Sequence, residues 1–403
     1  MLKFKLFLLL GAFQVPAFSQ PWIQKASLPD SAAERNHPVT FAIDGIGYLG
    51  TGYTISTNKD QKDFYKYDPV ADQWTQLDDY PGVTRSFSYG IAYGGNGYMA
   101  FGVTDTGWLN DMWMFDPVAN SWTQKASCPC TGRSHPAFVE ANGKIYVGLG
   151  GSFMGNLDDF WEYTIASDTW RQISTYPSHK RHHPFYFSIG DYIYVGFGHG
   201  SIPVEGFNIY RDFYKYDPAN DLWIKLNDFP GEARVAGTQF THNGKGYVLH
   251  GEGAMHQTFN TGEFWGYTPE NDSWLQLEEM PGGGRWAPGT FVIGNTVYST
   301  CGSDVSYTDT KDMWAYTFAT SGTDSALKEP ESPASIYPNP ASSRIFIQQQ
   351  EPVSFQVVSV CGARQMDGQY TQDGIDITQL PSGIFYLKLL NAGGSSALKF
   401  VKN

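Results

Sequence analysis

Three times the chain reads Arg-x-His-Pro, at Arg35 to Pro38, Arg133 to Pro136 and Arg181 to Pro184. A guanidinium offers rigid forked donors that match carboxylates, sulfates and acidic peptides, and an imidazole serves as a hydrogen-bond partner or a metal ligand. Residues two apart on a strand share a face, so His37, His135 and His183 are expected to point the way their arginines do. A metal would need three imidazoles converging within about 4 Å of one point. The three repeats are unevenly placed for that and the nearby arginines would repel a cation. No metal and no cofactor are therefore expected, and hydrogen bonding to a polar ligand is. Glu252 stands directly after Gly251, where the other units carry Tyr53, Val103, Ser152, His199 and Ser303. A singular acid beside arginines has the makings of a general base. His199 joins the ligand-binding candidates, and Tyr210, His256 and Trp108 lie on or near the same loops, where aromatic faces among polar groups suit sugars or else pack.

These residues recur because the chain does. A Trp is followed seven positions later by a Pro six times, at Trp22, Trp74, Trp122, Trp170, Trp223 and Trp274, with intervals of 52, 48, 48, 53 and 51 residues. That period is the length of a four-stranded propeller blade. Four residues after the Pro stands Arg85, Arg133, Arg181, Arg234 or Arg285, and six after it, in the first unit, Arg35. An apolar strand and a turn such as Asn142-Gly143 follow, then a strand carrying Tyr48, Tyr98, Tyr146, Tyr194, Tyr247 or Tyr298, which are hairpin signals. This second strand is read as ending at Gly52, Gly102, Gly151, Gly198, Gly251 and Gly302. A third strand opens on an acid and carries aromatics, as in Asp63 to Tyr67, Asp111 to Phe115 and Asp159 to Tyr163.

Such sheets carry large aromatics on both faces and must pack against one another around an axis. The last unit lacks a Trp strand and Trp22 to Pro29 is a Trp strand without a blade. The N-terminal strand is therefore expected to complete the sixth blade, which also removes a sheet edge.

With 403 residues, 17% charged and 16% aromatic, the chain is globular, and its formal charge of −13 argues against nucleic acid and anionic membrane surfaces. Residues 1–19 have the basic, apolar and small-residue parts of a secretory signal, and no later stretch approaches the roughly 20 apolar residues of a membrane-spanning helix. Cys128 reads as a core filler, and Cys130 as a free thiol or its partner in a small ring. No disulfide framework is expected. Residues 321–335 read as a linker and 336–403 as a β-sandwich with strands at Arg344 to Gln348, Ser354 to Ser359 and Ile384 to Leu390.

The order of Arg, Tyr, terminal Gly, acidic-aromatic strand and Trp resembles the kelch repeat over about residues 22–320, although only Gly150-Gly151 keeps the paired glycines usual there. The segment with Tyr337-Pro338-Asn339-Pro340, Gly362, Leu380 to Tyr386 and Lys399 to Lys402 resembles the C-terminal sorting domain of the type IX secretion system of Bacteroidetes. Together the resemblances imply an all-β protein: a signal peptide at 1–19, a six-bladed kelch propeller at 20–320 closed by its N-terminal strand, and a sorting sandwich at 336–403. They imply passage through the type IX machinery to the outside or the cell surface. In kelch propellers the first strand of each blade lines the central channel. The resemblance thus implies that Arg35, Arg85, Arg133, Arg181, Arg234 and Arg285 ring one mouth of the channel, either binding an anionic ligand or tying blades together. The expected function is binding of a glycan or protein ligand by a monomer. The alternative is a sugar-modifying enzyme resembling kelch-type sialic-acid mutarotases, with Glu252 catalytic beside Arg234 or Arg285. The family's second Arg position holds Thr258 here, and galactose-oxidase copper ligands find no matching motif.

Overall fold

Three residues after the arginine, at Pro38, Pro136, Pro184 and Pro288 and at Ser88 and Gly237 in the other two repeats, begins an extended segment whose alternate residues are largely apolar. In the computed structural model of the chain, Val39–Ile43 buries Val39, Phe41 and Ile43 and turns Thr40 and Ala42 the other way. The structure describes residues 22–318, except 205, 206, 254 and 256, and residues 336–403, except 348–352, 360–363, 372, 373, 392 and 393. The signal-peptide reading, His256 and Cys361 lie outside the described residues. Contacts divide the chain into two units, Met1–Phe318 and Ala319–Asn403.

The first unit contains, among the described residues, six four-stranded antiparallel sheets joined as successive hairpins. Val39–Ile43, Tyr89–Tyr93, Ala137–Ala141, Phe185–Ile189, Thr238–His242 and Gly289–Ile293 are the innermost strands, and each touches the next in a closed cycle. Trp22–Lys25 is the outer strand of the sheet that holds Gly289–Ile293, with Trp22 opposite Tyr316 and Lys25 opposite Met313. Four of the six tryptophans, Trp22, Trp74, Trp170 and Trp223, fasten their blade to the one before it through the indole N–H. The indole N–H of Trp74 donates to Ala26 O at 2.9 Å, that of Trp170 to Ala126 O at 2.8 Å and that of Trp22 to Glu278 O at 3.0 Å. The N-terminal strand therefore makes the same contact as the strands of Trp74, Trp170 and Trp223, and the ring is sealed.

A second latch operates nearer the axis. At the end of every second strand two consecutive residues have positive φ, for example Thr51 at 56° and Gly52 at 99°, or Leu149 at 59° and Gly150 at 97°. The glycine N–H then reaches the carbonyl of the next blade's arginine, from Gly52 to Arg85, Gly102 to Arg133, Gly150 to Arg181, Gly198 to Arg234, Gly251 to Arg285 and Gly302 to Arg35. A Cβ on Gly52 would lie 2.7 Å from Asn36 O, so no larger residue fits. The third unit thus aligns on Gly150, one residue before the Gly151 read from the sequence. Gly151, not Ser152, is the counterpart of Glu252.

The second unit has a three-stranded and a four-stranded antiparallel sheet. Ile345, Ile347, Phe355, Val357, Leu387 and Phe400 are among the residues of their shared core. Val353–Ser359 lies between Arg364–Tyr370 and Gly383–Asn391, and Gly394–Lys402 adds an outer strand. Asn339 of the Tyr-Pro-Asn-Pro segment accepts from Val401 N–H at 2.9 Å and so anchors the C-terminal strand.

Candidate functional site

The six arginines are placed far from where a ligand could use them. Arg35, Arg85, Arg133, Arg181 and Arg234 are 0% exposed and Arg285 is 6% exposed. Each bonds the acid that opens its own blade's third strand. Arg133 grips Asp159 through two bonds of 2.8 and 2.9 Å, Arg85 grips Asp111 through 2.8 and 2.7 Å, and Arg234 meets Glu263 at 2.6 Å. Arg35, Arg181 and Arg285 pair likewise with Asp63, Asp212 and Asp312. Aromatics complete the clasp: Arg181 lies between the rings of Tyr176 and Tyr210 at 4.9 and 4.3 Å. Burial alone would raise the carboxyls of Asp111, Asp159, Asp212 and Glu263. Hydrogen bonds and charge from the arginines more than offset it and hold all four below their ordinary values. The arginine side chains lock each blade's own second and third strands while their backbone carbonyls accept from the preceding blade, and the anion-binding ring implied by the resemblance is not formed. Tyr210, 3% exposed, belongs to this packing.

The histidines part company with their arginines. His37, His135 and His183 have φ of 49°, 52° and 51°, so the chain is not a strand there and the alternation argument fails. The arginine turns between blades and the imidazole turns to the propeller axis. Equivalent positions in the other blades hold Phe87, Ala236 and Ala287, also at positive φ. The two alanines leave room at the axis, and the three imidazoles meet there. His37 Nε2 lies 2.8 Å from His183 Nε2, the rings of His135 and His183 are 3.5 Å apart, and ring nitrogens of all three fall within 4.8 Å of one another. Phe87 and Trp286 flank His37 at 4.6 and 4.8 Å. This overturns the premise that blades one, three and four are too unevenly placed for convergence. Around a closed ring, the position nearest the axis lies close to its equivalents in every blade. Nor do the arginines repel a cation here, because their charges are matched by acids.

Behind His37 stands a fixed chain of partners. Asn36 Nδ2 donates to the Asp309 carboxylate at 2.9 Å, and Asn36 Oδ1 faces His37 Nδ1 at 2.7 Å. Because a carboxylate only accepts, Asn36 must present its oxygen to the imidazole, so His37 Nδ1 carries the hydrogen and neutral His37 has a bare Nε2. Burial, aided by the charge of His182, pushes His37 down to about 3. Burial likewise holds His135 and His183 well below the usual imidazole value, so all three are neutral. His182, missed in the sequence reading, bonds Asn156 Oδ1 at 2.9 Å and approaches His199 Nδ1 at 3.4 Å.

Glu252 sits on the same end of the propeller, 7% exposed, its backbone bridging Val235 and Thr258. The Tyr307 hydroxyl bonds it. Arg234 and Arg285, proposed as its companions, are held by Glu263 and Asp312.

Each second strand returns to the end where its inner strand began, so all six following loops surround the axial histidines. Every one of these loops exposes a large apolar side chain: Ile55, Trp108, Phe153 with Met154, Ile202, Met255, and Val305 with Tyr307. Phe153 is 70% and Met255 74% exposed. Trp108 and Phe153, 6.4 Å apart, border a cavity of about 350 Å³ with Thr106, Gly107 and Gly132. The central channel is a separate space of about 360 Å³ lined by inner-strand residues such as Thr40, Glu140, Tyr186 and Gln239, with no arginine among them.

Residues 35–198 match the KLHDC2/KLHL20/DRC7 Kelch-repeats domain, and residues 335–403 match the secretion system C-terminal sorting domain. The chain is a kelch-type β-propeller carrying a type IX sorting tail. It is similar to the solved structure of YjhT, at 16% identity and a TM-score of 0.60, over 72% of this chain and 96% of that one. That likeness is one of fold. No curated protein matches the chain. The sorting tail indicates secretion or an outer-surface location. Cys128 and Cys130 form a disulfide, which suits an oxidising compartment. Among the described residues no helix is long and apolar enough to cross a membrane.

Proposed function

We propose that this exported propeller binds a polypeptide partner on the face formed by its six second-strand loops. The observation that carries this reading is the ring of exposed apolar side chains, one loop per blade, on a rigid scaffold whose six repeat arginines are internal. Exposed apolar and aromatic residues grouped on one face favour protein association over anion capture. Aliphatic Ile55, Ile202, Met255 and Val305 suit a protein surface better than a sugar, which stacks on aromatic faces. Secretion or an outer-surface location, which the sorting tail indicates, suits a partner met outside the cell.

The test is a triple substitution, Trp108→Ser, Phe153→Ser and Met255→Ser, in the otherwise intact protein. Capture of the extracellular partner is expected to fall at least tenfold with the melting temperature nearly unchanged, since these side chains are exposed. Undiminished capture, or retention on a glycan array with no protein partner, would overturn the reading. Glu252→Gln addresses the sugar-modifying alternative: turnover of an anionic sugar that disappears in this variant, with binding intact, would favour catalysis instead.

A further inference from the structure

We propose that His37, His135 and His183 form a binding site for a divalent transition-metal ion, of the Zn²⁺ type, on the propeller axis. The site is independent of the polypeptide-binding reading. Three observations converge on it. First, the three imidazoles offer nitrogens within 4.8 Å of one another from blades one, three and four. A tetrahedral Zn²⁺ with bonds of about 2.0 Å holds its nitrogens about 3.3 Å apart, which lies between the 2.8 Å of the closest pair and that outer limit. Small rotations about the side-chain torsions suffice. Second, the Asn36–Asp309 chain fixes the hydrogen of His37 on Nδ1 and leaves Nε2 as a lone pair aimed at the cluster. A carboxylate-backed partner on the far nitrogen is how proteins orient and strengthen a ligating imidazole. Third, His135 Nε2 is buried with no hydrogen-bond partner. An unsatisfied buried nitrogen is costly, and a shared cation satisfies it while also taking the lone pair of His37 Nε2 that otherwise faces His183 Nε2 at 2.8 Å.

The donor set selects the ion. Three neutral imidazoles suit Zn²⁺, Co²⁺, Ni²⁺ or Cu²⁺ and reject Ca²⁺ and Mg²⁺, which want oxygen. Three protein ligands leave a fourth position for water or another group, the arrangement of an open site. His182 and Phe87 pack against the cluster and shape its surroundings.

The experiment uses the full protein, stripped with a chelator and titrated with Zn²⁺ alone and with Co²⁺ as a spectroscopic probe. One equivalent of Zn²⁺ is expected to bind and raise the melting temperature, and Co²⁺ is expected to give the visible bands of a four-coordinate nitrogen site. The double variant His135→Ala/His183→Ala should lose more than about 100-fold in affinity, because metal is held by the ligand set acting together. Its backbone is secured by precedent, since Ala236 and Ala287 occupy the equivalent positions at φ of 52° and 49°. Asn36→Leu, acting through His37, should weaken Zn²⁺ about 10- to 100-fold while the Co²⁺ spectrum at saturation persists. No stoichiometric Zn²⁺ binding by the stripped wild type, or unchanged binding in the double variant, would overturn the proposal.

Discussion

The arginine that opens each repeat is the residue whose role differs most from its chemical promise. Arg133 is enclosed by an acid, two carbonyls and the Phe101 ring, and removing it would leave Asp159 partly buried without its counter-charge, with the Trp161 indole N–H still donating to its side chain. Arg133→Met is therefore expected to cost about 3 kcal/mol, and Arg133→Met/Asp159→Leu to recover much of that, as urea unfolding would measure. His250 gives the pH dependence. It is fully enclosed, and burial together with the charges of Arg285 and Arg234 holds it well below the usual imidazole value. A folded-state value below the unfolded one means the unfolded chain takes the proton first. Stability from this group is complete above about pH 6.5 and is lost as pH falls below it. The clasped carboxylates Asp111, Asp159, Asp212 and Glu263 add a second loss below about pH 4. Melting temperature against pH should show both limbs. His250→Phe, which the equivalent Phe101 and Phe197 show to be compatible with this backbone, should make the upper one shallower by one histidine's share, with His37, His135 and His183 supplying the rest.

At the scale of elements, closure rests on one short strand. Trp22 is 2% exposed, meets Phe264 edge-on and Tyr316 at a tilt, and donates to Glu278 O. Trp22→Ala should cost about 3–5 kcal/mol and release the edge of Met313–Thr317, seen as early amide exchange there and as a tendency to aggregate. The strand order of the repeat was legible in the sequence because Trp, Pro and the acidic-aromatic pattern recur with one period. The convergence of histidines was not. Strand alternation places side chains only while φ stays extended, and the switch to positive φ at His37, His135 and His183 leaves no local mark beyond the proline that follows. A global signal did exist: the same residue type at one repeat position in three of six units around a ring. The Gly150 register was missed for a related reason, since Leu149 takes a left-handed conformation that residue type does not announce.

Across the whole molecule, the propeller holds its six repeat arginines inside and presents at least one exposed apolar side chain from every loop on one end. The opposite end carries tight turns, with Val70 and Val118 exposed after Asp-Pro but no comparable residue in every blade. This asymmetry supports the proposed recognition at the loop end. Exchange of loop residues should alter what is bound without altering the fold, because the clasps and latches that secure the ring lie beneath the loops.

Site-specific photo-crosslinking tests this assignment most directly. A photoreactive amino acid replaces Phe153 in one version of the protein and Val118 in another, and each is displayed or secreted by living cells. The loop-end probe should yield a discrete polypeptide adduct and the turn-end probe none. Adducts from Val118 with none from Phe153 would contradict the account.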